Sequence, residues 1–454
     1  MSYIKYFFLV FVLFFLSCQS QEKIRELEPN IFGFATSNTF TFCDIYDTLF
    51  TNQIININPQ ILRFPGGAVG NFYHFGKVGY GFDFEEIKKY HGGKFPKRSL
   101  GLEKYRKKKK HDHDYIDDFI FLAKLTKSSA VLVANPFTQT DDDIIDMIKK
   151  LHKNNINVIG VELGSELSNR SYFLKGYTIN DYINFAERCS KNIKKSFPKI
   201  KTAIVAAPLG KIVGHRHNIW NEKLSKKSFY DAIIIHSYAN VIKGKSLDGQ
   251  MITENLDSKD PDALFDIFKA RALKYLLKIY PKEVEKYYSI FKKPIWVTEW
   301  NLQISQTTGN TLFQALFVAH YLLECMSLET LSPIELTTYH NLGGRDIAGS
   351  IFRKNDEITE THSTYYPMLM IGKIFSNNIT TIQRDVNRNT FTYRCFDINN
   401  IEKLVYTIDW DNFEFKCNDM SSKVLETSTF RSTNLYDIAD KDGFLDYKVE
   451  FKND

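Results

Sequence analysis

Two short stretches hold most of the chemistry this chain offers. ELGSE at 162–166 and VTEWN at 297–301 each lead an apolar run into a glutamate, Glu166 in one and Glu299 in the other. Two carboxyl groups among aromatic walls are the equipment for cleaving a glycosidic bond. One, protonated, gives its proton to the departing oxygen; the other, ionised, attacks or stabilises the oxocarbenium-like carbon. Unlike surroundings divide those roles: apolar walls favour the neutral acid, while an arginine and hydrogen-bond donors keep a carboxylate charged. Arg63, just before the turn Pro65-Gly66-Gly67, is the candidate arginine, and His236 and Tyr238 in IIIHSYAN are candidate donors. Ser165, Trp300, Asn301 and His340 complete the set as candidate sugar contacts. Glu162 reads as a buried partner within the fold, with Arg63 as its ion-pair mate.

Elements that bring such residues together alternate along the chain. Short apolar runs appear at 31–35, 60–64, 130–134, 157–163, 202–206, 232–235, 295–297 and 334–339. Helical periodicity lies between them, at 115–125, 141–151, 177–197 and 312–328, and Thr140 with Asp143 makes a capping-box start. Eight strand–helix units in about 310 residues predict a (β/α)8 TIM barrel, whose strand ends all open into one mouth. On that expectation strand two delivers Arg63, strand four Glu166, strand six His236 and Tyr238, strand seven Glu299, and strand eight His340. A doubly wound open sheet is the competing α/β arrangement, but no GxGxxG follows the first strand. From about residue 376 the helical period disappears and short β runs follow one another between Asp/Asn turns. The predicted organisation is a barrel at 30–375 and a C-terminal β-sandwich domain at 376–454.

The motifs and their order resemble the clan A retaining glycoside hydrolases, nearest the α-L-arabinofuranosidase, β-xylosidase and heparanase-type β-glucuronidase families. LRFPGGAVGNFYHF (62–75), ELGSE, HSY (236–238) and VTEWN are similar to their strand-two, strand-four, strand-six and strand-seven motifs. The resemblance implies Glu166 as general acid/base and Glu299 as nucleophile. It implies that Arg63 and Tyr238 hold Glu299 ionised and oriented, and that Ser165, His236, Trp300, Asn301 and His340 line the pocket. It implies no cofactor. Position 165 departs from the family, which has asparagine there to bind the sugar 2-hydroxyl. That departure motivates a second reading, a non-catalytic glycan-binding lipoprotein on the same barrel.

The remaining features bound the address and partners. Lys5 precedes an apolar run at 6–16, too short to span a bilayer but suited to a signal peptide at 1–18, followed by a polar tether at 19–29. Ser17-Cys18 resembles a lipobox, which makes Cys18 the candidate lipidation site and a membrane lipid anchor the candidate partner; plain cleavage and an uncleaved anchor are the alternatives. A net charge of +6 without a concentrated basic face does not point to nucleic acid. The basic run at 104–110 could steer an anionic glycan, could be a solvated loop, or could serve a surface adhesin. HDHD at 111–114 has no supporting ligands elsewhere, and the cysteines show no CxxC spacing, so no metal site is expected. Cys395 and Cys417 could pair across neighbouring strands. Oligomeric state is not legible.

Overall fold

The computed structural model describes residues 26–453, apart from 38, 76–80, 83–84, 86, 88–113, 139, 211, 246–250, 253–259, 304, 345–348, 356–357, 423 and 439–444. The signal segment with Cys18, most of the tether and the basic run at 104–110 lie outside the described residues. Among those described, no helix is long and apolar enough to cross a membrane.

Eight strands close into a barrel: β1 (Gly33–Ala35), β2 (Ile61–Phe64), β3 (Ser129–Val133), β4 (Val158–Glu162), β5 (Lys201–Val205), β6 (Ala232–Ala239), β7 (Ile295–Leu302) and β8 (Ile334–Tyr339). Every neighbouring pair is parallel, and β8 returns to β1. Parallel strands need crossovers, and helices supply them. The crossovers include α1 (Thr48–Ile57), α2 (Tyr115–Thr126), α3 (Asp141–Lys153), α4 (Arg170–Phe173), α5 (Ile179–Ser196) and α6 (Arg216–Ser225), then α7 (Pro261–Lys274), α8 (Tyr280–Phe291) and α9 (Leu312–Ser327). The Thr140–Asp143 capping box starts α3. Strands β6 and β7 run four residues or more beyond their apolar cores, which carries them into the mouth.

The barrel interior is filled rather than hollow. Trp296 near the start of β7 is buried and reaches across to β4, where a Cβ on Gly160 would stand 2.1 Å from its Cη2. Glycine there is a matter of space, and the indole closes the end of the barrel opposite the mouth.

After β8, α10 (Tyr365–Ser376) leads into an antiparallel meander of β9 (Ile379–Asn387), β10 (Thr390–Asp397), β11 (Glu402–Asp409), β12 (Glu414–Asp419), β13 (Val424–Arg431) and β14 (Asp446–Asn453). This β-domain packs on α9 and α10. Glu324 of α9, with almost no exposure, accepts from Arg384 Nε (2.5 Å) and the Tyr393 hydroxyl (2.5 Å) across the junction. The meander corrects the cysteine expectation. Cys395 pairs with Leu404 and Cys417 with Tyr406, so β11 separates them; both are free and buried.

Candidate active site

Arg63 comes up near the end of β2 with no exposed surface, separated by Phe64 and Pro65 from two glycines at positive φ, Gly66 (φ +66°) and Gly67 (φ +70°). A Cβ at Gly66 would sit 2.8 Å from Ser37 Oγ and 3.2 Å from Arg63 Nη1, so only glycine lets the loop turn this tightly over the guanidinium. Arg63 Nε and Nη2 donate to the two oxygens of Glu162, at 2.6 and 2.8 Å, and Nη1 donates to Glu299 Oε1 at 2.9 Å. Arg63 thus binds Glu162 and Glu299 together.

A bulge in β7 aims Glu299 inward. Val297 pairs with Ile235 and Glu299 with His236, leaving Thr298 as an extra residue; against β8 the same slip appears between Val297 and Trp300. An extra residue bends a strand and re-aims the side chains beside it. Thr298 and Glu299 accordingly both reach the interior, Thr298 Oγ1 donating to Glu162 (3.3 Å). The Tyr238 hydroxyl donates to Glu299 Oε2 at 2.8 Å, and His340 Nδ1 lies 3.8 Å from the same oxygen.

Glu166 follows β4 through a turn in which Gly164 has φ +89° and Glu166 itself φ +51°. A left-handed glutamate costs about 1–2 kcal/mol and needs support. Asn71 from the loop after β2 supplies it: Oδ1 accepts from Ser165 N (2.8 Å) and Nδ2 donates to Ser165 O (2.7 Å). Glu166 remains part-exposed, and its Oε1 lies 3.0 Å from His236 Nδ1. His236 stands between the two carboxyl groups, 3.6 Å from Glu299 Oε2. Atoms of Glu166, His236 and Glu299 all fall within 4.8 Å of one another.

The electrostatics favour charge on Glu299. Burial opposes charge on Glu299, but His236, then His340 and Arg63, outweigh it and hold the carboxyl well below the usual range. Burial alone would lower His236; Glu299 and Glu166 reverse this and raise it above the ordinary imidazole value. At His340 burial prevails and lowers it. Burial, reinforced by Glu299, pushes the Tyr238 phenol far up, so it stays a donor. The Glu166–His236–Glu299 cluster has the donor types of a cation site, but Arg63 and Tyr238 already occupy both Glu299 oxygens. A guanidinium at 2.9 Å also repels a metal ion.

Arg63, Glu166, His236, Tyr238, Glu299 and His340 therefore share one mouth. Trp300 and Asn301, also expected as sugar contacts, do not. Trp300 has no exposed surface and stacks on Tyr321 of α9 (centroids 4.2 Å, planes 15° apart), because strand alternation after the bulge turns it outward. Asn301, 1% exposed, donates to Tyr339 Oη (3.0 Å) and His340 O (2.9 Å), bracing the end of β8. Ser165 has no exposed surface and its hydroxyl has no partner among the described residues; Asn71 holds its backbone. Asn71 and Thr298 were not singled out from sequence. Asn71 sat inside the quoted strand-two motif, whereas nothing local announced the bulge at Thr298.

No family model matches the chain, and no curated protein does. Solved structures do resemble it over nearly its full length. The arabinose complex of an α-L-arabinofuranosidase from Thermotoga maritima has a TM-score of 0.58 at 14% identity, covering 95% of this chain and 94% of that one. The GH51 arabinofuranosidase from Xanthomonas axonopodis pv. citri has a TM-score of 0.62 at 11% identity, covering 95% and 93%. A 4-O-α-L-rhamnosyl-β-D-glucuronidase from Fusarium oxysporum 12S, in its Rha-GlcA complex, has a TM-score of 0.58 at 11% identity, covering 94% and 89%. The likeness is one of fold: a parallel eight-stranded barrel followed by a β-domain.

Proposed function

We propose that the chain is a retaining glycoside hydrolase acting by double displacement, with Glu299 as nucleophile and Glu166 as general acid/base. The observation that carries this reading is the approach of the two carboxyl groups to within 4.8 Å, with Glu299 alone held by Arg63 and Tyr238. Retaining enzymes keep their carboxyl groups about 5–5.5 Å apart, whereas inverting enzymes leave room for a water between them. Structures of the same fold that hydrolyse glycosides support it.

In the first step a Glu299 oxygen attacks the anomeric carbon. The bond to the leaving oxygen breaks and Glu166 gives that oxygen its proton. In the second, Glu166 takes a proton from water, whose oxygen attacks the same carbon and releases Glu299. Arg63 and Tyr238 keep Glu299 ionised and aimed before attack. When Glu299 is esterified, its negative charge disappears. The attraction that raises His236 weakens at that moment.

The substrate is a carbohydrate, an oligosaccharide or polysaccharide. Export by residues 1–18 with lipidation at Cys18 belongs to the same proposal and is tested by the mass of the mature N-terminus in the membrane fraction. A glycan-binding protein without activity is not favoured, since the carboxylate pair is intact and Ser165, its motivation, is buried. An array of aryl glycosides and oligosaccharides tests the proposal. Turnover lost in Glu299→Gln supports it, and no turnover of any member defeats it.

A further inference from the structure

We propose that a cavity beside Glu166 is a leaving-group subsite for an anionic sugar, one bearing a carboxylate or a sulfate ester. The inference rests on the glycosidase reading only for the side on which the leaving group lies. The cavity measures about 260 Å³. Glu166 and His236 form one wall, Arg170 of α4 with Arg216 and His217 of α6 contribute the polar lining, and the ends of β5 and β6 supply apolar surface. Among the described residues, Glu299, Arg63 and Tyr238 do not line it. Glu166 thus stands between this space and the nucleophile. A general acid must touch the oxygen that departs, so the sugar attached through that oxygen falls on this side.

The charge of the lining is the second observation. Among the described residues neither Arg170 nor Arg216 pairs with a carboxylate. Arg216 Nη1 donates to the Ser168 carbonyl, which leaves the rest of its fork unused, and its guanidinium lies 5.8 Å from the ring centre of Phe173. Two guanidinium groups over partly apolar walls suit a planar or tetrahedral oxyanion, which each can bind through two N–H groups. A neutral sugar offers them hydroxyl acceptors but no charge. The signal in sequence was scattered: Arg170 and Arg216 lie 46 positions apart, and only the β4 and β5 loops bring them to one cavity.

Calorimetric titration of glucuronic acid, glucose 6-sulfate and glucose into the full chain tests this without requiring turnover. The expected result is that one or both anions bind about tenfold or more tightly than glucose, a preference weakened by added salt. Carboxylate and sulfate sources are separated by which anion shows it. The preference should vanish in Arg170→Gln/Arg216→Gln and return in part in Arg170→Lys/Arg216→Lys. Because Arg216 also holds the Ser168 carbonyl, Arg170→Gln alone serves if the double variant fails to fold, and it should cut the preference several-fold. Equal binding of all three ligands, or a preference that survives these variants, overturns the proposal. Turnover of glycosides without anion preference defeats the subsite alone, whereas anion preference without turnover defeats the hydrolase reading and leaves an anionic-glycan site.

Discussion

Arg63 donates to Glu299 Oε1 at 2.9 Å while its other two donor nitrogens are spent on Glu162, so the group that orients Glu299 is itself held by a second ion pair. The guanidinium ties β2 and β4 to β7 at the point where the barrel opens. Replacing it leaves two buried carboxylates uncompensated.

Arg63→Met should therefore cost about 3–5 kcal/mol of stability, the usual penalty for breaking a buried pair. Arg63→Lys should recover little, because one ammonium cannot serve three donor positions in a plane. Urea unfolding of the three proteins measures this; a loss below about 1 kcal/mol for Arg63→Met would show that Glu162 and Glu299 do not depend on it.

Tyr238→Phe removes the donor to Glu299 Oε2. On the proposed mechanism Glu299 acts as the ionised form; its carboxyl is held low, so activity should be present above that low value and lost on acidification. Without the phenol the carboxyl binds its proton more readily, and the acid limb of kcat/KM moves to higher pH. A hydrogen bond to a charged group contributes about 1.5–3 kcal/mol, so a fall in kcat/KM of roughly ten- to a hundredfold accompanies the shift. An unmoved acid limb contradicts the assignment.

Glu166→Ala should discriminate between leaving groups. Poor leaving groups lose about 10²–10⁴-fold in kcat/KM, the range of general-acid catalysis, while a dinitrophenolate that departs unprotonated loses far less. A uniform loss across a leaving-group series would assign Glu166 a structural role.

Much of the barrel was legible because each strand is a short apolar run and each crossover a helical stripe. The run at 334–339 matches β8, and the helices at 115–125 and 312–328 match within one residue at their far ends. The ends of β6 and β7 were not legible, since both strands leave their apolar cores for polar residues that only the mouth explains. The bulge at Thr298 has no local signature, and it reverses the face of Trp300, which was expected on the sugar. Asn301 failed for a related reason: closeness to a glutamate in sequence says nothing of which way a side chain turns. The Cys395–Cys417 pairing required adjacent strands, and the number of strands between two runs is a property of the meander.

The junction between barrel and β-domain should weaken on acidification. Burial opposes charge on Glu324, but His320, Arg384 and Tyr393 outweigh it and lower its carboxyl, so its contribution is present above the unfolded carboxylate value and lost as pH falls through the folded one. Burial lowers His320 below its ordinary 6.5, so its neutral form also supports the fold above that pH and less so below. Melting temperature should therefore decline from about pH 6.5 downward and more steeply in the carboxylate range. Glu324→Gln, which leaves Arg384 without its carboxylate, should cost about 3 kcal/mol and flatten the steeper part. A wild-type melting temperature that is flat from pH 7 to 4 contradicts this.

The most direct test of the two-glutamate account is to trap the covalent intermediate. A 2-fluoro glycoside of the sugar that the chain turns over, carrying an activated leaving group, slows the second step and lets the ester accumulate. Intact and peptide mass spectrometry should then show one glycosyl adduct, on Glu299, absent from Glu299→Gln and lost again as activity returns. Turnover of the unfluorinated glycoside with no adduct, or an adduct on any other residue, would contradict the assignment of Glu299 as nucleophile.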